Sequence, residues 1–122
     1  MNNSISIIVP VYNEKDSLEE LYGEIRNATG SFSKREVLFI DDGSTDGSTE
    51  ILKTMAEEYA DVVLIQFFRN YGKAAALAEG FNYSTGDYIV TMDADLQDDP
   101  IEINNLCEKL NEGYDLVSGW KK

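Results

Sequence analysis

Histidine is absent from this sequence of 122 residues, and cysteine occurs once, at Cys107. The first absence excludes a histidine-ligated zinc site, a Ser–His triad and a Cys–His pair. A single cysteine cannot form an internal disulfide, and it is typical of a protein of the reducing cytoplasm. We interpret Cys107 as a small apolar residue of a helix rather than as a reactive thiol.

Basic residues are also few. Lys and Arg number 10 against 23 Asp and Glu, which gives a formal net charge of −13 and a pI near 4.2. This charge opposes nucleic acid or an anionic membrane surface as the main partner, because both attract basic side chains. It does not exclude a nucleotide that is held through a metal ion.

Long apolar runs are missing as well. No stretch is long enough to span a bilayer, and the amino terminus lacks the basic residues of a signal peptide. Apolar residues nevertheless make up 43% of the chain, which is typical of a folded protein. We therefore expect residues 1–122 to form one cytoplasmic domain.

Short apolar runs alternate with segments in which apolar residues recur at helical spacing. The predicted strands are residues 5–12, 36–41, 62–68, 88–93 and 115–120. The helical stripes between them consist of Leu18, Leu21, Tyr22 and Ile25, then Ile51, Leu52, Met55, Ala56 and Tyr59, then Ala74, Leu77, Ala78 and Phe81, and finally Ile103, Leu106, Cys107 and Leu110. This alternation predicts a three-layer α/β/α fold of the Rossmann-like kind with a mostly parallel sheet.

Polar residues follow the carboxyl ends of the first four predicted strands. With Pro10 near the end of the first strand, the set consists of Tyr12, Asn13 and Glu14, then Asp41, Asp42, Gly43 and Ser44, then Arg69 and Asn70, and then Asp93, Asp95 and Gln97. The carboxyl ends of parallel strands meet at one edge of a sheet, where such folds bind their ligands. The sequence therefore predicts a ligand site at this edge.

Four carboxylates are crowded after the fourth strand, namely Asp93, Asp95, Asp98 and Asp99. Such crowding costs stability unless a cation or solvent offsets the repulsion. Residues i and i+2 of an extended segment face the same side, so Asp93 and Asp95 favour a hard divalent cation, Mg²⁺ or Mn²⁺. Gln97 adds a neutral oxygen on that side. Asp98 and Asp99 precede Pro100 and fit a helix start better than a metal site.

The segment "DDGSTDGS", residues 41–48, has three interpretations. Residues 46–48 fit a turn and a helix N-cap. An EF-hand calcium loop is rejected, because Lys53 stands where that loop requires a bidentate Glu. In the third interpretation Asp42 accepts hydrogen bonds from a nucleoside, and Gly43 permits a close approach of the backbone.

Four segments together resemble a known family. "SIIVPVYNE", "LFIDDGSTDGS", "RNYGKAAALAEGF" and "GDYIVTMDADLQDDP" follow the order and spacing of family 2 glycosyltransferases with the GT-A fold. The resemblance runs from about Ser4 to Trp120. The form "DADLQDDP" is similar to the polyprenyl-phosphate (dolichol-phosphate-like) branch, which moves a sugar from UDP or GDP to a lipid phosphate.

The resemblance implies a nucleotide-sugar site formed by Pro10, Tyr12, Glu14, Ile40, Asp42, Asp93, Ala94, Asp95 and Lys121. The first three residues would line the base and ribose pocket, while the backbone of Ile40 and the side chain of Asp42 would contact the nucleoside. Asp93, Asp95 and Gln97 would bind the metal, and Asp95 would be the catalytic residue. The implied mechanism is an inverting displacement in which Mg²⁺ or Mn²⁺ stabilises the leaving diphosphate.

The resemblance also implies partners. UDP is favoured over GDP as the nucleotide, because no residue of the sequence is clearly suited to recognise guanine. Lys121 stands where the branch often has arginine. Its ammonium group offers the diphosphate a single point charge, whereas a guanidinium group would donate two parallel hydrogen bonds. The family's acceptor-side residues follow the last predicted strand, so the chain is similar to the donor-binding part alone. We expect a polyprenyl-phosphate acceptor, a full-length protein at the cytoplasmic face of the membrane, and self-association of the fragment through bare apolar surface.

Two alternatives of other classes remain open. A response-regulator receiver also carries paired acids at strand ends, but its pair follows the first strand, whereas Asp41 and Asp42 follow the second. A non-catalytic nucleotide-binding module would bind the nucleotide without transferring a sugar.

Overall fold

The computed structural model describes residues 3–94, which form a four-stranded parallel sheet with three helices. The elements in chain order are β1 (Ser4–Val11), α1 (Leu18–Ala28), β2 (Lys34–Asp41), α2 (Ser48–Glu58), β3 (Val62–Gln66), α3 (Lys73–Tyr83) and β4 (Tyr88–Thr91). The strand order is β3-β2-β1-β4, and every neighbouring pair is parallel. The predicted α/β sheet is therefore confirmed, while the predicted fifth strand and fourth helix lie outside the described residues.

Helices cover both faces of this sheet. On one face, the larger apolar cluster joins Ile7 of β1 to Leu21 of α1 and Met55 of α2. On the other face, Ile8 of β1 packs with Ala76 of α3. Burial on both faces explains why the strands read as unbroken apolar runs. Each helix has 11 residues, and within residues 3–94 none combines the length and apolarity that a bilayer span requires.

The apolar stripe predicted for α3 is wrong in part. Three of its residues are exposed, namely Ala74, Ala78 and Phe81. The buried residues are instead Ala76 and Gly80, with Leu77 packed beside them. Small residues bring α3 close to the sheet, because a Cβ at Gly80 would stand 2.4 Å from Cγ2 of Ile8 and 3.2 Å from Cδ1 of Ile40.

This close approach predicts opposite effects of two glycine substitutions. Gly80→Ala should lower the free energy of unfolding by about 1–3 kcal/mol, since the new methyl group must displace a fully buried side chain. Gly23 of α1 has no heavy atom within 4 Å of the corresponding position. Gly23→Ala should therefore raise the free energy of unfolding by about 0.5–1 kcal/mol. Urea denaturation of both variants measures the two changes, and shifts of equal sign would contradict the packing of α3.

A cavity of about 420 Å³ opens at the amino-terminal edge of the sheet. There the hydroxyl of Tyr22 donates to Asp61 at 2.5 Å, and Nε of Arg35 lies 2.6 Å from the same carboxylate. Burial and the neighbouring Asp61 raise the pKa of Tyr22 to about 12. These groups bond to one another, so we interpret the cluster as a structural contact between α1, β2 and the start of β3.

Candidate functional site

A pocket of about 350 Å³ opens at the opposite, carboxyl-terminal edge of the sheet. Its lining residues come from the ends of β1 and β2, the β3–α3 loop, the start of α3 and the segment after β4; they are Pro10, Tyr12, Glu14, Asp42, Asn70, Gly72, Lys73, Asp93 and Ala94. Residues far apart in the sequence thus meet in one space. Most of the predicted nucleotide-sugar residues within the described part of the chain are among them.

The remaining predicted residues are not in this lining. The side chain of Ile40 is fully buried and packs with Ile8 under α3, so the role predicted for its backbone stays a prediction. Asp95, Gln97 and Lys121 lie outside the described residues, and their predicted roles toward the metal and the diphosphate stay predictions as well.

The β3–α3 loop contributes pocket residues that the sequence analysis did not assign to the site. Asn70 appeared there only as a polar residue after a strand, and Gly72 and Lys73 were not assigned. The signal was present in "RNYGK", since a Gly-Lys pair at the start of a helix after a parallel strand faces the ligand-binding edge. Gly72 has a φ of 104°, a conformation that favours glycine.

Asp42 holds this loop in place. Its side chain is buried, and its Oδ1 and Oδ2 accept hydrogen bonds from the backbone N–H groups of Tyr71 at 2.7 Å and Gly72 at 3.0 Å. The loop also lies against Gly43, where a Cβ would stand 2.4 Å from the backbone carbonyl carbon of Arg69. The carboxylate of Asp42 therefore shapes one wall of the pocket as well as lining it.

Two further carboxylates stand near Asp42: Asp41 ends β2, and Asp46 lies in the β2–α2 loop, where its Oδ2 also accepts from the backbone N–H of Lys15 at 3.3 Å. Asp41 is fully buried and accepts hydrogen bonds from the backbone N–H of Ser44 at 3.0 Å and from the Thr49 hydroxyl. Asp46 accepts from the backbone N–H of Ser48 at 3.0 Å. Desolvation acts to raise the pKa of Asp46, but the hydrogen bonds from Ser48 outweigh it, and the pKa lies below its ordinary value. These contacts favour a turn before α2, whose N-cap is Gly47 without a side-chain cap hydrogen bond.

Hydrogen bonds join the β1–α1 loop to the β2–α2 loop. The backbone N–H of Asn13 donates to the Ser44 hydroxyl at 2.9 Å, and its side-chain oxygen accepts from the backbone of Thr45 at 2.8 Å. The backbone N–H of Glu14 donates to the Ser48 hydroxyl at 3.1 Å. These bonds fix the position of the pocket residues on either side of Asn13.

Asp93 forms an ion pair with a lysine of the pocket. Its Oδ1 lies 2.6 Å from Nζ of Lys73, the first residue of α3. One residue later, the backbone oxygen of Ala94 accepts a hydrogen bond from the Ser17 hydroxyl at 2.5 Å. The backbone is thereby held at the point where Asp95 follows in the sequence.

Of the three predicted metal ligands, only Asp93 lies within the described residues. Within residues 3–94, no group of three or more His, Cys, Asp or Glu side chains is arranged to hold a metal ion by itself. Asp93 nevertheless stays a predicted ligand, because a carboxylate oxygen is the kind of hard donor that Mg²⁺ and Mn²⁺ prefer. The other two predicted ligands, Asp95 and Gln97, belong to the segment outside the described part.

Comparison with known families assigns the chain to one of them. The model of glycosyl transferase family 2 matches residues 6–121. The chain belongs to this family. The match confirms the resemblance drawn from the four sequence segments, and it decides against the response-regulator hypothesis.

The relatives agree with this assignment. The undecaprenyl-phosphate 4-deoxy-4-formamido-L-arabinose transferase of Klebsiella pneumoniae (strain 342) is 48% identical over 115 residues, which cover 93% of this chain and 35% of the relative. The chain therefore spans about a third of the length of the curated relatives that it matches.

Solved structures show the same fold. The mannosyltransferase PcManGT from Pyrobaculum calidifontis, in complex with GDP-Man and Mn²⁺, matches with a TM-score of 0.70 at 33% identity, over 78% of this chain and 28% of that chain. S. aureus TarS in complex with UDP matches with a TM-score of 0.70 over 92% of this chain and 32% of that chain, at 23% identity, which supports the fold alone. The Rossmann-like GT-A fold predicted from the sequence is confirmed.

Proposed function

We propose that the protein binds a nucleoside diphosphate sugar in this pocket and, as the donor-binding part of a glycosyltransferase, serves sugar transfer to a polyprenyl phosphate. The observation that carries the proposal is the convergence of Tyr12, Glu14, Asp42 and Asp93 in one pocket of a family 2 chain. The 48% identity to an undecaprenyl-phosphate transferase supports the class of acceptor. The 33% identity to a mannosyltransferase solved with GDP-Man and Mn²⁺ supports the class of donor.

The pocket suits a nucleotide chemically. Tyr12 is 47% exposed, so its ring offers an apolar face to a base. Asp42 accepts one backbone N–H at each oxygen, and a carboxylate oxygen has a second acceptor position for a nucleoside N–H or hydroxyl. A volume of about 350 Å³ lies within the range of small-molecule sites.

The family implies a divalent cation, Mg²⁺ or Mn²⁺, with Asp93, Asp95 and Gln97 as the proposed ligands. Such a cation supplies positive charge to the diphosphate as it leaves. In the proposed displacement, the acceptor oxygen forms a bond to the anomeric carbon as the bond from that carbon to the diphosphate breaks, which inverts the configuration. A lipid phosphate is already anionic at neutral pH and needs little help from a general base. We place the intact protein at the cytoplasmic face of the membrane, where donor and lipid meet.

Calorimetric titration of the intact protein tests the donor. UDP and GDP are titrated in parallel, each with and without Mn²⁺, and uridine serves as a control that lacks both phosphates. We expect UDP with Mn²⁺ to bind with a Kd between about 1 µM and 1 mM, and uridine to bind weakly and without dependence on Mn²⁺. If neither diphosphate binds, the proposed donor class is wrong. Binding without any transfer to a polyprenyl phosphate would favour the non-catalytic module.

A further inference from the structure

Lys73 and Asp93, which both line the pocket, form an ion pair. The two charged atoms are 2.6 Å apart, the side chain of Lys73 is 57% exposed, and that of Asp93 is 21% exposed. The backbone of Lys73 is held in place, because Lys73 is the first residue of α3 and follows Gly72. The backbone N–H of Gly72 donates a hydrogen bond to Asp42. The ammonium group of Lys73, at the end of a flexible stem, remains free to exchange partners.

The charge of the pocket makes this contact significant. Among the lining residues, Glu14, Asp42 and Asp93 are acidic, and Lys73 is the only basic residue of that set within the described part of the chain. An ammonium group within hydrogen-bond distance of Oδ1 occupies the space that a divalent cation requires on the same oxygen. The two cations therefore compete for Asp93. Exposed ion pairs are weak, so a divalent cation accompanied by a diphosphate displaces the lysine.

We propose that Lys73 is an exchange residue. In the ligand-free protein it neutralises Asp93, and when the divalent cation takes Asp93, the ammonium group moves to an oxygen of the diphosphate. The same side chain thus opposes binding of the metal alone and supports binding of the metal together with the nucleotide. This coupling makes the two ligands bind cooperatively. The inference rests on the proposed function for the diphosphate step, whereas the competition for Asp93 does not depend on a nucleotide.

The test is Lys73→Met, measured on the intact protein with two probes. Mn²⁺ alone, followed by its electron paramagnetic resonance signal, should bind about two- to fivefold more tightly than to the parent, because its competitor is gone. UDP together with Mn²⁺, followed by calorimetry, should bind about tenfold more weakly, because a charge-assisted hydrogen bond is lost. Lys53→Met removes an exposed lysine of α2 outside the pocket lining and should change neither value.

The opposite signs of the two effects distinguish exchange from a structural role. A merely structural lysine would weaken both probes in Lys73→Met, together with the midpoint of urea denaturation, and this result would overturn the proposal. Unchanged affinity for Mn²⁺ alone would overturn it as well. If the parent binds Mn²⁺ but no nucleotide, the proposed function fails, while the Mn²⁺ titration still decides whether Lys73 competes for Asp93.

Discussion

Asp42→Ala should weaken the binding of UDP with Mn²⁺ by about a hundredfold, the largest loss expected from a single change within the described residues. The buried carboxylate accepts the backbone N–H groups of Tyr71 and Gly72. Alanine leaves both donors without this acceptor, which should lower the free energy of unfolding by about 1–3 kcal/mol. It also frees the β3–α3 loop, which carries Asn70 and leads to Lys73 at the start of α3. Calorimetry and urea denaturation measure the two effects.

Asp46→Ala is the matched control. Its carboxylate also accepts two backbone N–H groups, from Ser48 at 3.0 Å and from Lys15 at 3.3 Å, but it does not line the pocket. We expect a loss of about 0.5–1.5 kcal/mol in the free energy of unfolding, because hydrogen bonds beside the start of α2 are lost, and an affinity for UDP within about twofold of the parent value. If Asp46→Ala lost as much affinity as Asp42→Ala, general rigidity of the β2–α2 loop would explain the result, and Asp42 would have no special part.

The sequence predicts α1 well and α3 poorly, and the difference has a physical cause. Leu18, Leu21 and Ile25 are large, lie among charged residues and are all fully buried, as the stripe predicts. In α3 the apolar residues are mostly alanines, and the pattern contains little contrast. There burial follows from how closely a small residue lets the helix approach, and Gly80, which a hydrophobic pattern ignores, becomes a contact residue.

Strand ends show a similar limit. The third strand was expected to reach Phe68, but β3 ends at Gln66 and Phe68 is fully exposed. The fourth was expected to reach Asp93, but β4 ends at Thr91, where its pairing with β1 stops at Ile8. An apolar run thus does not fix where a strand ends, because a strand lasts only as long as its neighbour offers hydrogen-bond partners.

The pocket was predictable where single strands deliver its residues. Pro10 and Asp42 stand at the ends of two adjacent parallel strands, and the fold alone brings such positions together. The part formed by Gly72 and Lys73 was not predictable in this way. It depends on hydrogen bonds from Asp42 and on an ion pair with Asp93, which join residues far apart in the sequence and leave no local pattern.

The second large loss of binding is expected from a substitution in the acidic segment that follows β4 in the sequence. Asp95→Asn should remove most of the Mn²⁺-dependent binding of UDP, with a loss of about a hundredfold, and should reduce sugar transfer by the intact enzyme at least as much. Asparagine keeps the size of the side chain and loses the charge that a divalent cation requires. The variant should fold as the parent does, or be slightly more stable, because the repulsion between Asp93 and Asp95 is relieved. In the free protein Lys73 remains paired with Asp93.

Asp98→Asn is the comparison that assigns roles within this segment. Asp98 is predicted to stand at a helix start, so its loss should change the free energy of unfolding by about 0.5–1 kcal/mol at most and leave binding unaffected. UDP is titrated into both variants with and without Mn²⁺, and the affinity without Mn²⁺ shows whether the base pocket is intact. If Mn²⁺ no longer strengthens UDP binding in Asp95→Asn but still does so in Asp98→Asn, Asp95 is a ligand of the cation, as is predicted for Asp93. If Asp95→Asn binds like the parent while Asp98→Asn does not, the metal ligands are the later carboxylates, and the crowding of the earlier pair must be explained by Lys73 alone.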